Sequence, residues 1–201
     1  MKIGILGGTF DPPHLTHLDL AETAAQKLGL DQILLVPNKR NPIKRLGPRA
    51  TARDRFAMTK LMAEGRENFA VSDVELGRSG PSFAVDTLIE LNQAIKAKFW
   101  WILGSDAAMH LEEWYELDKI LKLARFAVGL RPPDDMAAVM RFAPEKVHGN
   151  LDFFLLNEPS PRSSTEIRNN IGIKLDESRQ VLPSVWQYIQ EHQLYRMNDD
   201  Q

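Results

Sequence analysis

The chain has no cysteine in its 201 residues. Disulfide scaffolding and thiolate metal sites are therefore excluded. It has no uninterrupted apolar run long enough to span a bilayer, so no membrane partner is expected. It also lacks a large excess of either charge: 25 Lys and Arg stand against 27 Asp and Glu, a formal net charge of −2. That balance argues against general nucleic-acid binding, which needs a strongly basic face. There is no Gly-x-Gly-x-x-Gly string and no Walker loop, so neither a dehydrogenase nor a P-loop kinase is supported. Internal repeats, low-complexity tracts and interior linkers are absent too. Met1-Lys2 leads straight into apolar sequence with no leader pattern. What remains is an ordinary composition, 43% hydrophobic and 26% charged, of the kind expected for a cytoplasmic globular protein. Residues 1–201 are enough to bury a core as one domain.

The informative stretch opens the chain. Lys2 to Leu6 is nearly continuous in apolar character and reads as a strand buried on both faces. Gly7-Gly8 break it, Thr9-Phe10-Asp11-Pro12-Pro13 turn it, and a helix is predicted from about Thr16 to Leu28, closed by Gly29. A strand that turns through glycine into a helix start is a ready anion site, with backbone N–H groups and the positive end of the helix dipole facing outward. On this reading Gly7 and Gly8 let a phosphate approach the main chain. His14 and His17, three residues apart, share one face of the opening turn.

The pattern then alternates. Strands are predicted at Gln32–Val36, Phe69–Val74, Phe99–Leu103, Phe126–Leu130 and Leu151–Leu156. Helices are predicted from Thr51 (capping box with Asp54), from Ser82, over Asp135–Phe142, from Ser163 (capping box with Glu166) and over Pro183–His192. The fold class is α/β: a doubly wound parallel sheet with helices on both faces and a small helical extension over about 163–201. Between Pro37 and Ala50 lie five basic and no acidic residues, among them Lys44. This loop leaves the carboxyl end of a strand beside the glycine turn, where ligands bind in open sheets, and a polyanionic substrate explains its charge. Asp106 follows a strand and a glycine, a place where carboxylates accept ribose hydroxyls. Ser163, Ser164, Thr165 and Arg168 combine a helix start with hydroxyls and a guanidinium, a good triphosphate-tail site.

Gly7-Gly8-Thr9-Phe10-Asp11-Pro12-Pro13-His14-x-x-His17 resembles the GGTFDPxHxGH signature of bacterial nicotinate-nucleotide adenylyltransferases, within the nucleotidyltransferases that carry HxGH. Pro81-Ser82-Phe83-Ala84, Gly104-Ser105-Asp106, Trp114-Tyr115 and Ser163-Ser164-Thr165-Glu166-Ile167-Arg168 match further family motifs, so the resemblance covers nearly the whole chain. Three positions depart from it: Thr16 stands where the family has glycine, Ile43 where it has histidine, and Ala84 where it often has threonine.

The resemblance implies adenylyl transfer from ATP to nicotinate mononucleotide. His14 and His17 would be the catalytic phosphate donors. Gly7, Gly8, Thr9, Phe10, Asp106, Ser163, Ser164, Thr165 and Arg168 would bind ATP. Asp11, Lys44, Ala84, Trp114 and Tyr115 would bind the mononucleotide. Trp114 would stack on the pyridine ring, a cation–π contact worth about 0.5–2 kcal/mol. Lys44 and Arg168 would take charge further out. Magnesium would be held by the phosphates, since the sequence offers no dedicated carboxylate cage. The Thr16 hydroxyl is read as a phosphate ligand. Another phosphate substrate, such as a phosphopantetheine or an alcohol phosphate, is the alternative within the fold. A non-catalytic nucleotide sensor is the alternative outside it. Homo-oligomerisation is left open.

Overall fold

The computed structural model describes residues 1–42, 47–131, 135–156, 163–171 and 180–196. Six parallel strands form one sheet: β1 (Lys2–Gly8), β2 (Gln32–Pro37), β3 (Phe69–Val71), β4 (Lys98–Gly104), β5 (Ala124–Leu130) and β6 (Leu151–Leu155). Their order is β3-β2-β1-β4-β5-β6. The order reverses between β1 and β4, and that switch point is where open α/β sheets bind ligands. In register, Gly8 stands opposite Pro37 of β2, and Ile5 opposite Trp101 of β4.

Side-chain alternation divides the core into two layers. Ile3 and Ile5 of β1, Leu34 and Val36 of β2, and Phe99, Trp101 and Leu103 of β4 face one way. They pack on α3 (Ala84–Ala94), α4 (Ser105–Ala108), α5 (Leu117–Leu123) and α6 (Met136–Phe142). Leu6, Ile33, Leu35, Trp100 and Ile102 face the other way. They pack on α1 (Leu15–Leu28), α2 (Ala52–Ala63), α7 (Ser164–Asn170) and α8 (Pro183–Glu191). Both faces are covered, as the apolar strands required. Among the described residues no helix is long and apolar enough to cross a membrane.

Two boundaries differ from expectation. β3 stops at Val71 because the Ser72 N–H still bonds to Leu35 O (2.9 Å) while Ser72 Oγ turns to accept from Val74 N (3.3 Å). The helix predicted from Ser82 starts at Ala84, because Ser82 is held by another loop: its N–H donates to Arg40 O (2.9 Å) and its Oγ accepts from Lys39 N (3.0 Å). α4 and α5 are too short for a periodic signal and were not foreseen.

Gly4 sits on the α1 side of β1, where a Cβ would meet the side-chain ends of Leu30, Ile102 and Ile33 at 2.7–2.8 Å. Three packed neighbours cannot all yield, so Gly4→Ala is expected to cost about 1–3 kcal/mol by overpacking. Urea unfolding measures it; an unchanged midpoint would show that the layer around Gly4 is looser than described.

Candidate active site

A cavity of about 1070 Å³ opens at the switch point. Gly7 and Gly8 from the end of β1, Gly104 from the end of β4, and Asn38 just after β2 form its floor. His17 of α1 and Trp114, which follows the turn at Leu111–Glu113, line it as well.

His14 caps α1 and His17 lies in its first turn; their ring centroids are 3.7 Å apart. The His14 N–H donates to His17 Nδ1 (3.3 Å). An accepting Nδ1 places the proton of the neutral His17 ring on Nε2, so the ring presents a donor there. His14 is buried, and its Nδ1 has no hydrogen-bond partner. Burial, with the Arg131 charge as the lesser cause, pushes the His14 imidazole down to about 3. It is therefore neutral at neutral pH. A buried ring nitrogen without a partner at a helix start is suited to a ligand oxygen.

The two glycines have a further reason. A Cβ on Gly7 would meet the buried Trp101 indole at 2.7 Å, and one on Gly8 would meet the Phe10 ring at 3.1 Å. Their missing side chains thus make room for aromatic rings, besides leaving backbone at the cavity. Phe10, expected on ATP, is instead core: it is 1% exposed and packs edge-on to His17 with centroids 5.0 Å apart. Its φ of 48° lies in the left-handed region, which a bulky residue rarely adopts. Its neighbours hold it there. Thr9 O accepts from Arg55 Nη1 (2.7 Å), and Asp11 is fixed by its carboxylate.

Asp11, expected on the mononucleotide, is 2% exposed and turns its carboxylate into the protein. Oδ2 accepts from Arg49 N (2.8 Å), and Oδ1 accepts from Ala50 N (3.0 Å) and Tyr195 Oη (2.8 Å). Arg168 Nη1 lies 3.5 Å from Oδ2 and donates to Asp11 O. Arg168 thus spends part of its guanidinium on the opening motif, and Nη2 donates to Thr165 Oγ1 (3.1 Å). Ser163 and Glu166 form the expected capping box, and Ser164 Oγ donates to Pro12 O (3.0 Å). Motifs from the two ends of the sequence meet here.

Asp106, Ala84, Trp114 and Tyr115 line the cavity as expected. A Cβ on Gly104 would lie 2.7 Å from Asp106 Oδ1, so that glycine admits the carboxylate over the strand end. Trp114 is braced at right angles to two core rings, Trp101 (5.9 Å) and Phe126 (5.7 Å). Tyr115 is exposed and leans on Phe83, centroids 4.6 Å apart. Thr9 accepts from Asn38 Nδ2 at 3.4 Å. Thr9, Ser163, Ser164, Thr165 and Arg168 are not among the cavity-lining residues; nor are His14 and Thr16, which are buried. Ile43 and Lys44 lie outside the described residues.

Three residues were missed. Arg55, 1% exposed, bonds through Nη1 to Thr9 O and to Asn38 O (2.6 Å) and ties the opening turn to the end of β2. Its place on α2 looks like any charged helix position. Asn38 lines the cavity with a buried, unpartnered Oδ1. Arg131, at the end of β5, has an unpartnered buried Nε and sets its charge near His14. A polar residue directly after an apolar strand is the signal that could have found both.

A family model described as cytidylyltransferase-like matches residues 5–170. A probable nicotinate-nucleotide adenylyltransferase of Listeria monocytogenes serotype 4a (strain HCC23) is 41% identical over 197 residues, covering 96% of this chain and 97% of the relative. A protein of the same description from Synechococcus sp. (strain JA-3-3Ab) is 39% identical over 197 residues, covering 96% and 94%. In fold, the chain is similar to the Plasmodium falciparum nicotinic acid mononucleotide adenylyltransferase complexed with NaAD, with a TM-score of 0.80, 20% identity and 98% of each chain covered.

The depressed His14 value has a consequence for stability. The unfolded chain takes up a proton near the ordinary 6.5, while the folded chain resists until about 3. His14 therefore leaves stability unchanged above pH 6.5 and lowers it progressively as pH falls towards 3. At pH 5 the loss is about 2 kcal/mol. His14→Gln is expected to flatten the fall between pH 6.5 and 4 in denaturant unfolding; slopes parallel to the wild type would contradict a buried neutral ring.

Proposed function

We propose that this chain, which belongs to the cytidylyltransferase-like family and within it to the nicotinate-nucleotide adenylyltransferases, transfers the adenylyl group of ATP to nicotinate mononucleotide. The products are nicotinate adenine dinucleotide and pyrophosphate, in a step of NAD biosynthesis. The observation that carries this reading is the His14–His17 pair at the helix start, next to a cavity walled by Trp114. The names of the relatives and the NaAD held by the Plasmodium protein agree with it.

The chemistry suits the residues. The attacking phosphate monoester is largely dianionic at neutral pH, since its second pKa is about 6. No general base is needed. What is needed is in-line placement, and donors for charge on the α-phosphate and the departing pyrophosphate. His17 Nε2–H supplies a side-chain donor, with the buried, unpartnered ring nitrogen of His14 beside it; the main chain of this helix start is already engaged, Leu15 N–H with Gln180 O (2.8 Å) and His17 N–H with His14 O (2.9 Å). Arg131 adds a permanent charge beside His14. Asn38 Oδ1 and Asp106 accept ribose hydroxyls. Arg168 and the Thr165 hydroxyl, whose proton is not committed elsewhere, take the triphosphate tail. The pyridine ring lies against Trp114, with the N–H groups of Ala84 and Tyr115 available for its carboxylate.

Magnesium fits this donor set as an ion brought in by the phosphates. Glu75, one of the cavity carboxylates, is buried and already accepts from Thr87 Oγ1 (2.6 Å). Asp106 folds back over Gly104. Among the described residues the sole cluster of three ligand-type side chains, His110, Glu112 and Glu113, is exposed. When bound, the ion neutralises charge on the phosphate oxygens. We place the reaction in the cytoplasm on composition.

ATP and nicotinate mononucleotide are expected to release pyrophosphate in a magnesium-dependent reaction. His17→Ala should lower turnover by roughly 10²–10³. Binding of both nucleotides without turnover would favour a sensor. Trp114→Ala should weaken mononucleotide binding by about 0.5–2 kcal/mol and leave ATP binding intact. Titration calorimetry separates the two ligands, and equal losses for both would make Trp114 a core residue only.

A further inference from the structure

Residues 11–15 lead into the histidine turn, and the far end of the sequence holds them. Arg168 Nη1 donates to Asp11 O, Ser164 Oγ to Pro12 O (3.0 Å), and Leu15 N–H to Gln180 O (2.8 Å). A further partner is a side chain that no step above uses. Tyr195, 8% exposed, donates its hydroxyl to Asp11 Oδ1 (2.8 Å) from 184 positions away. It lines no part of the cavity.

The Tyr195 ring is held there against backbone preference. Gln193 and Tyr195 both have left-handed backbone, with φ 52° and 66°, which residues with a Cβ seldom adopt. Gln193 N–H donates to Gln190 O (3.2 Å) and Leu194 N–H to Ile189 O (2.9 Å), so the chain turns sharply after α8. The turn sets the Tyr195 ring in the core layer that contains Leu6, Phe10 and Ile167. Such conformations persist where the surrounding structure over-determines them, and they gather at functional sites. Burial, and after it the Asp11 carboxylate, push the phenol well above its ordinary range, so the hydroxyl remains a donor.

The bond reaches the histidines through the main chain. Asp11 Oδ1 has two donors, Ala50 N–H (3.0 Å) and Tyr195; without the hydroxyl it keeps one. Asp11 stands three residues before His14. The His14 N–H donates to His17 Nδ1 at 3.3 Å, which is long for a hydrogen bond, so a small shift of the turn breaks it. That bond is what puts the His17 proton on Nε2, and His17 lines the cavity.

We propose that Tyr195 is a positioning residue for adenylyl transfer: its hydroxyl locks the Asp11 carboxylate and so holds the 11–14 turn where His14 N–H meets His17 Nδ1 and the His17 proton stays on Nε2. This rests on the functional reading above. The donor it aligns acts on charge that develops in the transition state, so the effect falls on kcat rather than on either KM.

The test combines steady-state kinetics with long-range proton–nitrogen NMR of the histidines, both on the full chain. Tyr195→Phe removes the hydroxyl and keeps the ring. It is expected to lower kcat about tenfold, with both KM values within about twofold. It should also turn the single Nε2–H tautomer of His17 into a mixture. Replacing Tyr195 with para-aminophenylalanine, whose amine can donate to Asp11, should restore most of both. Wild-type kcat per folded molecule in Tyr195→Phe, whatever its melting temperature, would reduce Tyr195 to a structural role and overturn the proposal. A raised KM for either substrate at unchanged kcat would overturn it too. So would a wild-type His17 that carries its proton on Nδ1, a result that needs no variant to fold. Absence of wild-type turnover with ATP and nicotinate mononucleotide would count against the functional reading; the tautomer comparison then decides whether Tyr195 sets the His17 ring.

Discussion

The arrangement depends on one buried carboxylate. Asp11 is buried, and an isolated buried charge is costly unless paired and hydrogen-bonded. It is satisfied by two main-chain N–H groups, a tyrosine hydroxyl and a guanidinium, drawn from three separate stretches of chain. Arg49 and Ala50 bring in the end of the basic loop, Arg168 brings in α7, and Tyr195 brings in the residues after α8. Loss of any one leaves a buried carboxylate short of a partner. The opening motif is thereby fixed on its inner side, while its outer side keeps His17, Gly7 and Gly8 at the cavity.

Arg55 completes the inner frame. Its cation is buried, which lowers its proton affinity, and Asp11 offsets part of that. By bonding to Thr9 O and Asn38 O it clamps the turn after β1 to the end of β2. The strained Phe10 sits between these two anchors, a case in which surrounding structure over-determines an unfavourable conformation at a site of chemistry.

Much of this was legible in the chain. The alternation of apolar runs with helical periods marked all six strands and the doubly wound sheet, because strands covered on both faces cannot hide their composition. The Ser163–Glu166 capping box and the Gly29 stop were read correctly because caps are local chemistry. What sequence did not disclose was direction. Asp11 lies in the signature and looks like a ligand contact; only the fold shows that Tyr195, 184 positions away, claims its oxygen. Arg55 and Glu75 are charged residues that pattern reading assigns to solvent, and both are buried. Gly7 and Gly8 were legible as glycines, but the rings of Trp101 and Phe10 that occupy their missing side chains come from tertiary packing.

The same contrast bears on how the two substrates are kept apart. The helices that carry His14, His17 and Arg168 pack on one face of the sheet, and those that carry Ala84 and Asp106 pack on the other. The cavity lies where the two meet, at the end of β1 and β4. On the first side the polar groups are imidazoles and a guanidinium, which suit an anion. On the second they are carboxylates and aromatic faces, which favour ribose hydroxyls and an electron-poor ring. A neutral His14 matters in this setting. Two charged imidazoles at 3.7 Å would repel each other, and with His14 neutral the lasting positive charge beside it is that of Arg131. The two sides of the switch point thus differ in kind: cations and imidazoles stand on one, carboxylates and aromatic faces on the other.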